Sequence, residues 1–355
     1  MPSDRCCCIV PPYILEALSV HRSDRVRESA KRSLLVSERL RARRPLEALI
    51  GRMAAAGNPP EAGEQRRVFT CRHTTHVPGM IVRSEGDPVA PDTAVDEAYD
   101  AAGVTYEFYR DVFQRDSIND HGLHLISSVH YSHDFDNAFW NGLQMVYGDG
   151  DGEVFGRFTT CLDVIGHELT HGVVQYGADF EYDGQSGALN ESVADVFGSL
   201  VKQWHRKQTV TAADWLIGAG LLTKAVNAEA LRSLKAPGTA YDDPALGGRD
   251  PQPAHMRDYV AMAGDEGGVH INSGIPNHAF YLVATALGGH AWQTAGSIWY
   301  ETITASRLRK NATFAQFAAA TIANAKRHGE RAETAVHDAW HRVGITPSHA
   351  GAHAP

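Results

Sequence analysis

The sequence predicts an α+β protein with a β-rich N-terminal half, a helical C-terminal half and one helix in the cleft between them, preceded by a short, mostly helical segment. Three observations lead to this prediction. Short β-type runs separated by turns extend from residue 68 to about residue 147, apolar residues at three- and four-residue spacing mark the C-terminal half, and a polar motif lies on an amphipathic stretch between the two. The length of 355 residues allows two ordinary domains and a smaller segment.

The first part of the chain is basic. Residues 1–67 hold 13 Lys and Arg against 8 Asp and Glu, whereas the whole chain has a net charge of −9. We expect an extended start over residues 9–16, because Pro11 and Pro12 fix φ and disfavour helix before them. Helical patterns follow over 23–43 and 46–56, and residues 57–63 have the composition of an exposed linker. Since no nucleic-acid-binding motif accompanies the arginines, we expect this basic arm to dock on the acidic remainder of the chain.

The β-rich half is expected to contain one long helix. Residues 68–81 are predicted to form short strands, residues 92–114 a helix, and residues 124–131 and 143–147 further strands. The glycine- and aspartate-rich run 148–152 is interpreted as a tight turn. Beyond the central part of the chain we expect an irregular region over 235–275 and four amphipathic helices near 277–287, 291–308, 312–327 and 331–342.

One thiol and two imidazoles lie close together in the sequence, at Cys71, His73 and His76. These residue types bind zinc. Alternation of side chains on a strand surface explains them as well, and we favour that interpretation over a second metal site.

The strongest chemical signal is the run His-Glu-Leu-Thr-His at residues 167–171. Residues four apart on a helix project from one face, so His167 and His171 can present two imidazole nitrogens to one metal ion. Farther along the chain, Glu191 offers a carboxylate that could complete a His₂Glu set and leave the fourth tetrahedral position to water. Such a run also occurs by chance. Here, however, both flanking stretches have an apolar side, so their polar sides would face each other, and buried histidines and carboxylates without a shared cation would be costly.

The composition limits the location and the partners. No long apolar run exists, and residues 1–20 hold charges and prolines in place of an apolar signal core. We therefore expect a protein that is cytoplasmic as synthesised, without a Sec-type signal, and exported, if at all, by another route. Five cysteines, three of them adjacent, are not a disulfide framework, and we expect free thiols. Neither nucleic acid nor a membrane is expected as a partner, and we expect a monomer.

These motifs together resemble the thermolysin family of zinc endopeptidases, and within it the protealysin-type precursors. The resemblance extends from about residue 68 to residue 343. It rests on Asn137-Ala138-Phe139-Trp140, the turn at 148–152, the metal motif at 167–171 and the stretches 187–195 and 267–274. It implies a thermolysin-like fold of two subdomains with the zinc-binding helix in the cleft between them. The implied divisions are a propeptide and linker at 1–67, a β-rich catalytic subdomain at 68–178, a helical catalytic subdomain at 179–347 and a tail at 348–355.

The resemblance implies a role for each matching residue. His167, His171 and Glu191 would bind one catalytic zinc ion, and Glu168 would take the proton of the water that attacks the peptide carbonyl. The residues implied to assist them are the oxyanion donors His270 and Tyr182, the histidine-orienting Asp265, and Asp195 and Asn190 as hydrogen-bond partners of the zinc-binding imidazoles.

The resemblance also implies how a peptide substrate would bind. Asn137 and Ala138, expected to follow an edge strand, would hold an extended peptide through backbone hydrogen bonds, and Trp140 is expected to be a further substrate-binding residue. The pocket for the side chain after the scissile bond would be lined by Phe155, Phe158, Val164, Ile217 and Leu231, with Arg232 at its rim. An apolar pocket predicts cleavage before Leu, Phe, Ile or Val. For Phe155 and Val164, an ordinary core position is an almost equal alternative.

One departure from the family concerns calcium. Thermolysin has a paired calcium site beside the active site, and Asp163 matches one of its ligands. Lys202, Leu216 and Ala219 stand where further ligands are expected. An ammonium group cannot ligate a cation, but it can pair with Asp163. We therefore expect no paired calcium ions.

The N-terminal segment resembles the short propeptides of the protealysin type. The matching motif is the run Pro11, Pro12, Tyr13, Ile14 and Leu15. We expect this segment to cover the cleft and to keep the precursor inactive until it is cleaved between about residues 44 and 67. Cys6, Cys7 or Cys8 could in addition supply a thiolate to the open position of the zinc ion.

The leading hypothesis is thus a zinc-dependent neutral endopeptidase, made as a precursor that its propeptide inhibits, acting on peptides or proteins. A different class of protein is the alternative: a zinc-containing binding protein whose N-terminal arm stays docked and whose cleft never turns over. The intact Glu168 argues against that alternative. An aminopeptidase would need an acidic anchor for a free substrate amine, and we can place none in the sequence.

Overall fold

The computed structural model describes residues 7–38, 65–305 and 308–348. The chain begins with a short strand, β1 (Cys7–Cys8), a helix, α1 (Pro12–Leu18), and a second helix, α2, over residues 24–38. The extended start that was expected within residues 9–16 therefore ends at Pro11, and α1 occupies the rest of that stretch. Pro11 is extended, with φ −62° and ψ 148°, and Pro12 opens the helix, a position where its missing N–H is not needed. The helix expected at 46–56 and the linker at 57–63 lie outside the described residues.

The N-terminal half is built around a mixed sheet of six strands. The further strands are β2 (Arg66–Thr70), β3 (Met80–Ser84), β4 (Leu125–Val129), β5 (Ala138–Trp140) and β6 (Met145–Tyr147). Their spatial order is β1-β5-β6-β4-β2-β3, with β4 parallel to both β2 and β6. The strand β1 pairs antiparallel with β5 and so covers what would otherwise be an edge. The long helix α3 (Thr93–Phe113) packs against β2 and β4, which confirms the helix expected at 92–114.

Two central helices connect the halves of the molecule. These are α4 (Leu162–Tyr176) and α5 (Gly184–His205), and they pack against each other along their length. Gly198 of α5 makes this close approach possible. A Cβ atom at this position would lie 2.4 Å from the carbonyl oxygen of Asp163 and 2.9 Å from the backbone nitrogen of His167. The glycine therefore fixes how near the metal motif comes to α5.

The C-terminal half is mainly helical. Two small two-stranded sheets come first, formed by β7 (Leu216–Ile217) with β8 (Arg232–Ser233) and by β9 (Asp242–Asp243) with β10 (Gly248–Arg249). Five helices follow: α6 (Asp265–Asn272), α7 (Gly274–Leu287), α8 (Thr294–Thr304), α9 (Phe314–Ala325) and α10 (Glu330–Arg342). The last four confirm the four predicted helices.

The prediction of an irregular region over 235–275 is wrong for its final part, since α6 lies there. The first turn of α6 contains Glu266, Gly267 and Gly268 with φ of 50°, 83° and 79°. A left-handed start of this kind has no helical periodicity in its sequence and needs the glycines. Among the described residues, no helix combines the length and the apolar character needed to cross a bilayer.

Candidate active site and metal centre

Three side chains from the two central helices converge at the centre of the molecule. The Nε2 atoms of His167 and His171, one turn apart on α4, are 2.9 Å from each other. Each lies 3.5 Å from a carboxylate oxygen of Glu191, which α5 supplies. All three side chains are fully buried. The structure thus brings together the three residues that were expected from the sequence to bind the metal. They come from α4 and α5, whose relative position is fixed by the close packing at Gly198.

The hydrogen bonds around these imidazoles favour a cation between them. The Nδ1 atom of His167 is 2.8 Å from a carboxylate oxygen of Asp195, and Nδ1 of His171 is 2.9 Å from the amide oxygen of Asn190. Both partners are acceptors, so each Nδ1 carries the proton and each Nε2 carries a lone pair. Two lone pairs and a carboxylate facing one another in a buried space repel unless a positive ion joins them. Two imidazoles and one carboxylate suit zinc.

Asp195 connects the metal ligands to the opposite wall of the cleft. Its carboxylate accepts two hydrogen bonds from the guanidinium of Arg232, at 2.8 and 2.9 Å, in addition to the bond from His167. A fourth bond comes from Nδ2 of Asn277 on α7, at 2.9 Å. Burial alone would raise the pKa of Asp195, but the charge of Arg232 lowers it well below the ordinary value. The sequence reasoning did not find Asn277, which belongs to the predicted helix near 277–287 and has no local motif.

Glu168 follows His167 directly on α4. One of its carboxylate oxygens accepts a hydrogen bond from the backbone nitrogen of Trp140, at 2.9 Å, and the residue is fully buried. This bond ties the carboxylate to the strand β5. The indole of Trp140 itself donates to Gln175, at 3.2 Å, and is buried. Trp140, which was expected to bind substrate, therefore contacts Glu168 through its backbone, and its ring is part of the core.

His270 faces Glu191 from the helical half. Its Nδ1 is 2.5 Å from a carboxylate oxygen of Asp265, and its Nε2 is 3.3 Å from the hydroxyl of Tyr182 and 3.6 Å from Glu191. The hydroxyl of Tyr182 also donates to Glu191. Burial lowers the pKa of His270, but the negative charges of Asp265 and Glu191 outweigh this and raise it to about 9. The imidazole is therefore protonated at neutral pH, and both of its nitrogens donate.

The N-terminal segment lies in the cleft among these groups. The carbonyl oxygen of Cys8 is 2.9 Å from Nε2 of His270, and the carbonyl oxygen of Ile9 accepts a hydrogen bond from Arg232 at 2.9 Å. Ile9 is fully buried. A peptide carbonyl of the chain itself thus contacts the proposed oxyanion donor.

The same segment is held to the β-rich half by main-chain and amide contacts. The backbone nitrogen of Ile9 donates to the carbonyl oxygen of Ala138, at 3.2 Å. Val10 forms two bonds with the side chain of Asn137, its N–H donating at 3.0 Å and its carbonyl accepting at 3.2 Å. Ala138 opens β5, so the expectation that Asn137 and Ala138 follow an edge strand is corrected: Asn137 precedes that strand, and β1 pairs with it.

The proline-proline motif is adjacent to these contacts and does not itself make them. Pro11 and Pro12 come directly after Val10, and Ile14 and Leu15 are buried in α1. The thiol of Cys8 lies 3.9 Å from the hydroxyl of Ser37 in an apolar cluster with Phe139, so Cys8 meets the catalytic groups through its carbonyl oxygen. Cys6 and the side chain of Cys7 lie outside the described residues.

The helix α2 provides a second set of contacts between the N-terminal segment and the β-rich half, at the loop that contains Asp134 and Asp136. The hydroxyl of Ser29 is 2.5 Å from a carboxylate oxygen of Asp136, and the backbone nitrogen of Asp136 donates to the hydroxyl of Ser33, at 2.9 Å. Arg25 forms an ion pair with Asp134, at 2.9 Å. Asp134 and Asp136 lie three residues and one residue before Asn137, so α2 binds the loop that leads to Asn137 and β5.

The residues expected to line an apolar pocket are buried and belong to one core cluster: Phe155, Phe158, Val164, Ile217 and Leu231. Ile9 belongs to the same cluster. The position expected for Arg232, at the rim, is corrected, because its side chain is 1% exposed and is enclosed by Asp195 and the carbonyl of Ile9.

A lysine occupies the place where the family pattern has a calcium ligand. The ammonium of Lys202 is 2.8 Å from Asp163, 2.9 Å from Asp214 and 2.7 Å from the carbonyl oxygen of Leu216. Lys202 and Asp163 are both buried. Although burial lowers the pKa of Lys202, its aspartate partners raise it above the ordinary value, so the ammonium remains charged.

Family models match most of the chain. The model described as the thermolysin metallopeptidase catalytic domain matches residues 62–175, and the model described as the thermolysin metallopeptidase alpha-helical domain matches residues 178–345. Among solved structures, the precursor of protealysin, a metalloproteinase from Serratia proteamaculans, aligns with a TM-score of 0.87 and 48% sequence identity. That alignment covers 96% of this chain and 100% of the other.

Characterised relatives are similar over nearly the whole chain. An extracellular metalloprotease of Pectobacterium carotovorum is 49% identical over 352 residues, covering 97% of this chain and 98% of the relative. An extracellular minor metalloprotease of Serratia marcescens is 40% identical over 323 residues, covering 88% and 87%. These names contradict the cytoplasmic location expected from the absence of an apolar signal core, and that expectation is wrong. The family models, the relatives and the His₂Glu centre lead to one conclusion: the chain belongs to the thermolysin family of zinc metallopeptidases.

Proposed function

We propose that the chain is the latent precursor of a neutral endopeptidase that cleaves before hydrophobic residues, and that its N-terminal segment blocks the cleft until proteolysis removes it. One observation carries this proposal. Residues 8–10 lie along β5 with the carbonyl oxygen of Cys8 at His270 and that of Ile9 at Arg232. An extended peptide that adds to a sheet edge is a common way for a protein to hold a peptide.

The catalytic roles follow from this geometry. A zinc ion held by His167, His171 and Glu191 would supply a Lewis acid that acidifies a water molecule and polarises the peptide carbonyl. Glu168 accepts the proton of the attacking water and passes it to the leaving amine. His270, charged and oriented by Asp265, donates to the oxygen on which negative charge develops, and Tyr182 provides a second donor close by.

The direction and the burial of the N-terminal segment support the proposed specificity. In a substrate bound as this segment is, the residue at the place of Ile9 follows the bond at His270. Ile9 is fully buried in the apolar cluster that contains the proposed pocket residues Phe155, Phe158, Val164, Ile217 and Leu231. An apolar side chain in that place gains free energy from leaving water, whereas a charged one loses it. Cleavage before Leu, Phe, Ile or Val is the expected result.

The remaining proposals concern organisation. The N-terminal 67 residues act as an inhibitory propeptide and linker, residues 68–178 and 179–347 form the catalytic subdomains, and residues 348–355 form a tail. The mature enzyme is a monomer that acts outside the cell, as the names of its relatives suggest. No paired calcium ions bind beside the active site, because the ammonium of Lys202 satisfies Asp163 in their place.

The test compares the wild-type precursor with Glu168→Ala, which leaves the metal ligands intact. Both are purified uncleaved and incubated with zinc, and the samples are examined by N-terminal sequencing and by hydrolysis of a furylacryloyl peptide. The wild type should acquire a new N-terminus between residues 44 and 67 together with activity that o-phenanthroline abolishes. The Glu168→Ala precursor should remain intact and inactive.

The same experiment tests the alternative of a silent zinc-binding protein. Limited trypsin treatment removes the N-terminal segment from any precursor that does not process itself. Wild-type protein that is trimmed in this way, contains zinc and still hydrolyses neither casein nor the peptide would refute the proposed protease activity and support the alternative.

A further inference from the structure

We propose that His73, His130 and Asp149 form a second transition-metal site, beside the carboxyl ends of the parallel strands β2, β4 and β6. The three residues come from separate segments: the turn after β2, the residue following β4 and the turn after β6. Their ligand atoms all lie within 4.8 Å of one another, as do those of His167, His171 and Glu191. Cys71 and His76, the neighbours of His73 in sequence, are not members of this group.

The two imidazoles meet at one carboxylate. Nδ1 of His130 is 2.9 Å from both oxygens of Asp149, and Nδ1 of His73 is 3.5 Å from one of them. Zinc binds histidine nitrogens and carboxylate oxygens at about 2.0–2.2 Å, so ligand atoms of one ion lie roughly 3–3.5 Å apart. Small rotations of the side chains are sufficient to place an ion between these three groups.

His130 is oriented by a second carboxylate, as metal-binding histidines usually are. Its Nε2 is 2.8 Å from a carboxylate oxygen of Asp92, whose other oxygen accepts the N–H of Ala94 at the start of α3. This arrangement parallels the bond between Asp195 and His167 in the catalytic centre. A ring that donates from Nε2 presents a lone pair at Nδ1 to Asp149, and that contact requires a cation or a proton between the two atoms.

Without a metal ion, a proton lies between Nδ1 of His130 and the carboxylate of Asp149. Hydrogen bonding to Asp149, together with the charges of Asp149 and Asp92, outweighs burial and raises the pKa of His130 to about 9. A metal ion would displace that proton from Nδ1 and bind His73 as a third ligand. The protonated pair of His130 and Asp149, in contrast, does not involve His73. The requirement for His73 is therefore what distinguishes the metal site from a protonated ion pair.

The donor set and its exposure indicate the class of metal. Two imidazoles with one carboxylate suit zinc, cobalt, nickel or copper, whereas calcium and magnesium prefer oxygen ligands only. The side chains of His73, His130 and Asp149 are 45%, 18% and 23% exposed, so an ion can enter from solvent and keep water as a further ligand. The ring of His133 stacks on that of His73, with centroids 5.0 Å apart, and limits its rotation. A bound ion would connect the segments after β2 and β6, which hold His73 and Asp149, to His130 at the end of β4.

Zinc stoichiometry and thermal melting test this proposal on the full-length Glu168→Ala precursor, which stays uncleaved. After equilibrium dialysis against micromolar free zinc, this protein should hold two zinc ions per chain, and the added zinc should raise its melting temperature. The double variant with His73→Ala should hold one zinc ion and show no such rise. His76→Ala, which removes an exposed imidazole from the same turn, should behave like the parent.

Asp149→Asn provides a second variant that keeps the side-chain shape and removes the charge, and circular dichroism checks that each variant is folded. One zinc ion per chain in every protein would overturn the proposal. A second ion that survives both His73→Ala and Asp149→Asn would also overturn it, because that ion would be bound elsewhere.

Discussion

The Nε2 atom of His270 lies 2.9 Å from the carbonyl oxygen of Cys8. A peptide bond of the chain therefore occupies the position that the proposed mechanism gives to the substrate. The contacts on either side of it, from Ala138 and Arg232, are made to the main chain. The proposed block would therefore depend on the path of the N-terminal segment and on the burial of Ile9, the residue that follows this bond.

Replacing Ile9 by aspartate should release the block without cleavage. Ile9 is fully buried among apolar groups, and an unpaired carboxylate there would weaken the docking of the N-terminal segment by about 100-fold or more. The uncleaved Ile9→Asp precursor should hydrolyse a small peptide substrate that the wild-type precursor does not. Val20→Asp, at an 81% exposed position, is the control and should remain latent. Continued latency of Ile9→Asp would refute the role of Ile9.

Asn277 should influence zinc affinity although it touches neither the ion nor the substrate. Its amide donates to Asp195, which in turn orients His167. Loss of such an outer hydrogen bond typically reduces metal affinity or activity by about 10- to 100-fold. Competition with a chelator should reveal this loss in Asn277→Ala. Asn324→Ala, a buried asparagine that donates to Thr302 away from the site, should bind zinc as the wild type does.

Removing the ammonium of Lys202 should destabilise the fold. Lys202→Met leaves the buried carboxylate of Asp163 without its partner, which should lower the free energy of unfolding by about 3–5 kcal/mol. Urea denaturation of the precursor measures this change. Calcium should have no effect on the melting of the wild type. Melting that depends on calcium and loses that dependence in Asp163→Asn would contradict the assignment.

The docking of α2 should weaken as pH rises. Burial, together with the nearby charge of Asp151, raises the pKa of Asp136 well above the ordinary carboxyl value. The contribution of Asp136 to docking is therefore complete below a pH of about 4, and it is lost as pH rises through the raised pKa. Hydrogen exchange in residues 24–38 of the Glu168→Ala precursor should become faster over that range. With Asp136→Asn the exchange should lose this additional pH dependence, and an unchanged dependence would refute the prediction.

The parts of the fold that rest on long periodic segments could be predicted from the sequence. The helix α3 and the last four helices have apolar residues at regular spacing over several turns, which is a strong local signal. The metal ligands could be predicted for a related reason. His167 and His171 are separated by one turn, and Glu191 lies on a second helix with its own apolar side, so the local pattern already restricts where the three can meet.

The parts that depend on distant pairing could not be predicted. The strand β1 has only two residues, and the residues of β5 with which they pair lie more than 130 positions away, so no local pattern predicts this pairing. The resemblance implies a rim position for Arg232, and the local sequence gives no sign of Asp195, 37 residues away, whose carboxylate binds the buried guanidinium. The group around His73 was missed because its partners, His130 and Asp149, come from other strands, whereas the sequence suggested only its neighbours Cys71 and His76.

The place of β1 in the sheet has a consequence for the mature enzyme. If the N-terminal segment is removed as proposed, the N–H and C=O groups of β5 that pair with β1 would lose their partners, close to the proposed catalytic groups. Unpaired backbone groups of this kind can pair with extended polypeptides of many sequences, since every residue except proline offers both an N–H and a C=O group. Under the proposed function, the surface that seals the precursor would become the surface that accepts many different proteins, and only the side chain after the cleaved bond would need to match its pocket.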